Sequence, residues 1–84
     1  MTVIMYSKTN CPNCANAKRL LEMRNIEFVE RILGVDTTRE ELLEVAPNAR
    51  TVPQIFINGE NIGGYEQLVT YIEDTGFNGT GFTL

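Results

Sequence analysis

Cys11-Pro12-Asn13-Cys14 is the stretch of this sequence whose residue types and spacing can do chemistry. Two thiols at C-x-x-C spacing can open and close a disulfide, and the flanking residues say how they are held. Val3-Ile4-Met5-Tyr6 is a short apolar run that reads as a buried strand, while Ala15, Ala17, Leu20, Leu21 and Met23 recur at helical spacing. The cysteines therefore sit where a strand hands over to a helix. Pro12 suits the first helical turn, where its missing N–H costs nothing and its fixed φ is already helical. Cys11 then falls at the helix N-terminus, where unpaired N–H groups and the positive end of the macrodipole favour an anion. Its thiolate, the nucleophile of thiol–disulfide exchange, should form more easily than that of a free cysteine. Cys14 lies one turn on, placed to resolve a mixed disulfide. The pair reads as a redox switch.

Composition removes the competing chemistries. The chain has no histidine, so neither a Ser-His-Asp nor a Cys-His nucleophile can be assembled. With no second cysteine pair and no imidazole, a four-ligand zinc site cannot be built within one chain, and no metal is expected. Whatever activates Cys11 must be the helix end and nearby cations. A net charge of −4 argues against nucleic acid or an anionic membrane as partner. No apolar run approaches the ~20 residues that span a bilayer, and the N-terminus lacks a signal-peptide pattern. A reducing, cytoplasmic setting is the expectation, in which C-x-x-C serves redox chemistry rather than a structural bridge.

The 84 residues make one domain, 1–84, with about two-thirds of the unfolded surface available for burial in a single modest core. After the first helix, Arg24-Asn25 breaks the pattern, and Glu27 to Ile32 alternates like a half-buried strand ending at Gly34. Thr38-Arg39-Glu40-Glu41 has capping-box spacing and predicts a second helix through Leu42, Leu43 and Val45. Thr51-Val52-Pro53 leads into the apolar run Gln54-Ile55-Phe56-Ile57. Asn58-Gly59, the strongest short hairpin signal, then turns the chain into Glu60-Asn61-Ile62. Gly63-Gly64 breaks that strand, and Tyr65, Leu68, Val69 and Ile72 mark a third helix. Residues 75–84 read as an irregular tail that docks its aromatics on the core. The order is β-α-β-α-β-β-α in a four-stranded mixed sheet of the α/β class, its first two strands parallel through a crossover and its last two antiparallel.

Three blocks at these separations, Tyr6 to Cys14, Thr51 to Gly59 and Ile62 to Glu66, together resemble a dithiol glutaredoxin. The resemblance covers residues 2 to about 74 and implies a thioredoxin-like fold, with a cis peptide between Val52 and Pro53. It implies glutathione as co-substrate, bound in a groove beside the nucleophilic Cys11. By position, Lys8 faces a glutathione carboxylate and helps to lower the Cys11 pKa, and Arg50 matches a position that is often basic in the family. Arg39, at the start of the second helix, carries a weaker claim. Thr51, Val52 and Pro53 supply backbone to the groove. Gly64, Tyr65 and Glu66 supply the third helix's first amides to the γ-glutamyl carboxylate, with Glu66 meeting the amino group. The family usually has an aromatic residue where this chain has Asn13, which removes an apolar wall beside the thiol.

Three functions compete at this point. The first is a glutathione-dependent oxidoreductase acting as a monomer on disulfide-containing client proteins and glutathione mixed disulfides, with ribonucleotide reductase as a client the resemblance suggests. The second is a small thioredoxin-like redoxin reduced by thioredoxin reductase. Reduction potential separates these two, at about −200 to −230 mV for glutaredoxins and about −270 mV for thioredoxin. The third is an iron–sulfur carrier in which two chains and two glutathiones hold a cluster through Cys11. It is the least favoured, because the family associates it with other residues at the Pro12 position.

Overall fold

Side-chain alternation decides how the sheet is covered. Along β1 (Val3–Ser7), Val3, Met5 and Ser7 are buried on one face, while Ile4 and Tyr6 turn half-buried to the other. The computed structural model describes residues 2–77. Within them β1 is followed by α1 (Pro12–Met23), β2 (Val29–Ile32), α2 (Arg39–Val45), β3 (Gln54–Ile57), β4 (Glu60–Gly63) and α3 (Tyr65–Thr75). The order matches the expectation from sequence. The sheet runs β2-β1-β3-β4, with β1 parallel to β2 and antiparallel to β3, and β4 antiparallel to β3.

Both faces of the sheet are packed, so the central β3 is buried from Ile55 through Ile57. On one face Val3, Met5, Ile55 and Ile57 meet Ala17 and Leu21 of α1 and Leu68 and Ile72 of α3. On the other, Phe56 with Ile4 and Tyr6 packs under Leu42 and Ala46, and the Tyr6 and Phe56 rings meet edge to face at 5.6 Å. Leu21 is fully buried in the first cluster. Leu21→Ala is expected to cost about 3 kcal/mol, read as a lowered urea midpoint at unchanged m-value.

Local signals set most of the boundaries. Asn25 in the left-handed region (φ 57°) ends α1, its N–H donating to Glu22 O, and the chain then drops Ile26 into the core. That descent delays β2 to Val29, two residues after the alternating pattern begins. The capping box forms as written: Thr38 Oγ1 accepts from the Glu41 N–H at 3.1 Å and Glu41 Oε1 accepts from the Thr38 N–H at 3.0 Å.

The C-terminal expectation needs correcting. Thr75 is the last residue of α3 rather than the first of an irregular tail, and Gly76 in the left-handed region (φ 67°) ends the helix. Phe77 does dock, buried against the core with its ring 5.5 Å from Tyr71. The rest of the expected tail, 78–84, lies outside the described residues.

Candidate active site

Because β1 points its C-terminal end at the start of α1, the Lys8-Thr9-Asn10 connection delivers Cys11 to the helix N-cap. Asn10 takes the left-handed conformation (φ 55°) that turns the chain into the helix. Cys11 is extended, and its Sγ accepts the Cys14 N–H at 3.2 Å. A sulfur thus does the work usually given to a serine or aspartate oxygen. Pro12 occupies the first turn, as the sequence predicts, and that turn carries no acidic residue to oppose an anion at Cys11.

The two sulfurs are joined as a disulfide, and their surroundings differ. Cys11 is half-buried, whereas Cys14 is 4% exposed and sits against the core side of α1. An incoming thiol or disulfide therefore reaches Cys11 first. Across the cleft, the Val52 carbonyl oxygen lies 3.6 Å from Cys11 Sγ. Val52–Pro53 is cis, as the resemblance implies, and Pro53 is buried. The loop that precedes β3 is thereby held against the cysteines.

Lys8, Arg50, Thr51 and Val52 line one cleft of about 360 Å³ with Cys11 and Asn13. Behind it, an apolar hollow of about 200 Å³ floored by Leu42 and Leu43 is rimmed by the same Lys8 and Arg50 together with Arg39. Three of the seven cations of a net-acidic chain gather on one side of Cys11. Among the described residues the ion pair is Lys18 with Glu30, and none of these three cations is paired with a carboxylate there.

Gly63 and Gly64 sit at the other side of the loop. Gly63 has φ +115°, and a Cβ there would fall 2.9 Å from Gln67 Cγ, while one on Gly64 would fall 3.4 Å from the Pro53 carbonyl oxygen. The left-handed backbone and the Gln67 contact require glycine at 63, while Gly64 packs in ordinary contact with the proline loop. Gln67 Oε1 accepts the Gly64 N–H at 3.0 Å and fixes the entry into α3, a role the sequence reading missed. Its signal was a Gln three residues after the break. Tyr65 is half-buried on the core. Glu66 is exposed, and its side chain lines a separate cleft with Glu60, Asn61 and Gln67 rather than the one at Cys11. Residues 8, 11 and 50–52 are thus brought together in one cleft, with 53 and 64 packed behind them, while the Glu66 side chain stands apart.

The sequence reading also passed over Glu30. It lies on β2 opposite Met5, accepts the Ser7 hydroxyl at 2.8 Å and pairs with Lys18 at 3.3 Å, beside the cysteines. An acidic residue in an alternating strand gives no sign of which face it will take until the register is known.

Comparison with known proteins bears on this arrangement. The Glutaredoxin family model matches residues 3–62. A hybrid peroxiredoxin of Haemophilus influenzae, hyPrx5, is 41% identical over 70 residues, 83% of this chain and 29% of that protein. A probable glutaredoxin of a Synechocystis species is 43% identical over 67 residues, 79% of this chain and 62% of that one. The chain thus spans less than two-thirds of either relative. Among solved structures, a buckwheat glutaredoxin–glutathione complex superposes with a TM-score of 0.75 at 28% identity, covering 86% of this chain and 68% of the other.

Proposed function

The chain belongs to the glutaredoxin family, and on that premise we propose that it is a glutathione-dependent thiol–disulfide oxidoreductase working through Cys11 and Cys14. The observation that carries this is the asymmetry of the pair. Cys11 is reachable and capped by the Cys14 N–H, while Cys14 is buried one turn away. Cys11 thiolate attacks a client disulfide, one client sulfur leaves as thiolate, and a Cys11–client mixed disulfide forms. Cys14 thiolate then attacks Cys11 Sγ, which releases the second client sulfur and closes the Cys11–Cys14 bond. Glutathione thiolate opens that bond at Cys11, and a second glutathione displaces the first as oxidised glutathione.

Glutathione is held in this reading along the cleft beside Cys11. Lys8 and Arg50 supply two cations for its glycine carboxylate, and Arg39 adds a third at the rear of the same rim. Thr51, Val52 and Pro53 present backbone to its peptide portion. The first-turn N–H groups of α3 at Tyr65 and Glu66, beyond Gly64, are donors for the γ-glutamyl carboxylate. Glu66 enters through its backbone alone, because its carboxylate lies in the other cleft. The solved glutathione complex of the buckwheat relative supports the choice of co-substrate. The clients are protein disulfides, ribonucleotide reductase among them. The protein acts as a monomer in the cytoplasm, a reducing compartment where glutathione is itself kept reduced.

NADPH oxidation by the disulfide form tests this directly, coupled either to glutathione with glutathione reductase or to thioredoxin reductase. Turnover with glutathione alone is expected. Turnover with thioredoxin reductase alone would keep the cysteines and remove the glutathione groove. That second reading has one observation in its favour, the polar Asn13 in the cleft wall beside Cys11.

A further inference from the structure

Between α1 and the edge strand β2 lies a second open cleft, of about 590 Å³, lined by both cysteines, Ala15, Lys18 and Glu30. Ala15 contributes only a methyl group to its lining. Lys18 is four residues after Cys14 and so shares its helix face. Its ammonium is held 3.3 Å from Glu30 Oε1, while Glu30 Oε2 takes the hydroxyl of Ser7, which is 1% exposed. The charged side chains are not equally free: Lys18 is 46% exposed and Glu30 24%. A chain of three fixed groups thus runs from the buried end of β1 to the cleft that Cys14 lines.

We infer that the Lys18–Glu30 pair sets how readily Cys14 forms its thiolate, and thereby the rate of the steps that need Cys14. The inference rests on the redox reading above, in which Cys14 carries negative charge twice. In resolution, Cys14 gives its proton to solvent and its thiolate attacks Cys11 Sγ. The electron pair of the breaking Cys11–client bond leaves on the client sulfur. In regeneration, glutathione thiolate attacks Cys11 Sγ and the electron pair of the breaking disulfide leaves on Cys14. In both steps the Lys18 ammonium favours the anion and the Glu30 carboxylate opposes it. Ser7 is the positioning residue, its hydroxyl fixing one oxygen of the Glu30 carboxylate.

The other groups that face Cys14 do not duplicate this role. Lys8, from the end of β1, lines the same cleft, and Cys11 is the partner thiol. From α3, the side chains packed on the core beside α1 are Tyr65, Leu68, Tyr71 and Ile72, none of them a carboxylate, lysine or arginine. A purely structural pair, tying the edge strand to α1, is the competing account, and a partly exposed pair of that kind contributes little to stability.

Opposite signs separate the two accounts. In a Cys11→Ser background, which leaves Cys14 as the single thiol, thiolate absorbance is followed against pH with no glutathione or client present. Lys18→Met is expected to raise the Cys14 midpoint by about half a pH unit, and Glu30→Gln to lower it by a similar amount, both damped by solvent. Lys18→Arg keeps the charge and leaves the midpoint in place. Loss of a structural tie would instead move both in one direction. Either Lys18→Met or Glu30→Gln leaving the titration unchanged, or both moving it the same way, overturns the inference. Because no exchange partner enters the measurement, that failure is distinct from failure of the glutathione reading.

Discussion

Cys11→Ser is expected to reduce every thiol-exchange activity to the uncatalysed rate, while Cys14→Ser keeps reduction of glutathione mixed disulfides and loses reduction of client protein disulfides. The asymmetry follows from access and order. Cys11 is the sulfur an incoming disulfide reaches, and Cys14 is 4% exposed behind it. A glutathionylated substrate needs only one exchange at Cys11, after which free glutathione removes the glutathionyl group. A protein disulfide leaves Cys11 bound to its client, and only a neighbouring thiolate releases it quickly, because its local concentration far exceeds that of any thiol in solution.

The substitution is a clean one for stability. The serine hydroxyl is a better N-cap acceptor than sulfur for the Cys14 N–H, so lost activity in Cys11→Ser reads as lost chemistry rather than a loosened helix. Steady-state NADPH oxidation with glutathione reductase, run in parallel on a glutathionylated peptide and on a protein disulfide, measures both routes. Equal loss of the glutathionylated-peptide activity in the two variants would show that the roles of the cysteines are misassigned.

Much of this was legible in the chain itself, for reasons that differ by element. Cys11, Pro12 and the helix that follows were readable because strand, proline and periodic apolar residues are all local signals. The Thr38–Glu41 capping box was readable for the same reason, and each predicted hydrogen bond is present. Arg50 and Lys8, some 40 residues apart, reach one cleft only through the β1–β3 pairing, which no local pattern reports. Their shared place came from the resemblance rather than from spacing. Ser7, Glu30 and Lys18 were not found at all. Ser7 closed an apolar run, Glu30 sat in an alternating strand and Lys18 on a helix surface. Only the parallel register of β1 with β2 puts them on the same face. Glu66 was readable as a first-turn residue of the third helix, but that its side chain lines a cleft with Glu60 and Asn61 depends on the β3–β4 hairpin packing beside α3.

Removing the cations beside Cys11 should show whether glutathione lies where this reading puts it. Lys8→Ala and Arg50→Ala are each expected to raise KM for glutathione about tenfold, since a charge-assisted hydrogen bond to a carboxylate is worth about 1.5 kcal/mol at a partly exposed site. The double variant, with both cations gone from the one cleft they share with Cys11, should lose more than either alone. Salt gives an independent readout. In the unmodified protein KM should rise with ionic strength between ~10 mM and ~150 mM, where the screening length falls from about 30 to 8 Å, and the double variant should be nearly insensitive. Glu66→Gln is the matched control, because its carboxylate lies outside the cleft. Its KM is expected to stay within about twofold, the size of an ordinary surface change. If both alanine variants keep the original KM and its salt dependence, Lys8 and Arg50 are solvated surface charges. The glutathione carboxylate must then be held by Arg39 or by backbone amides. If instead Glu66→Gln raises KM as much as they do, the ligand runs across the start of α3 with its amino group turned towards the acidic cleft.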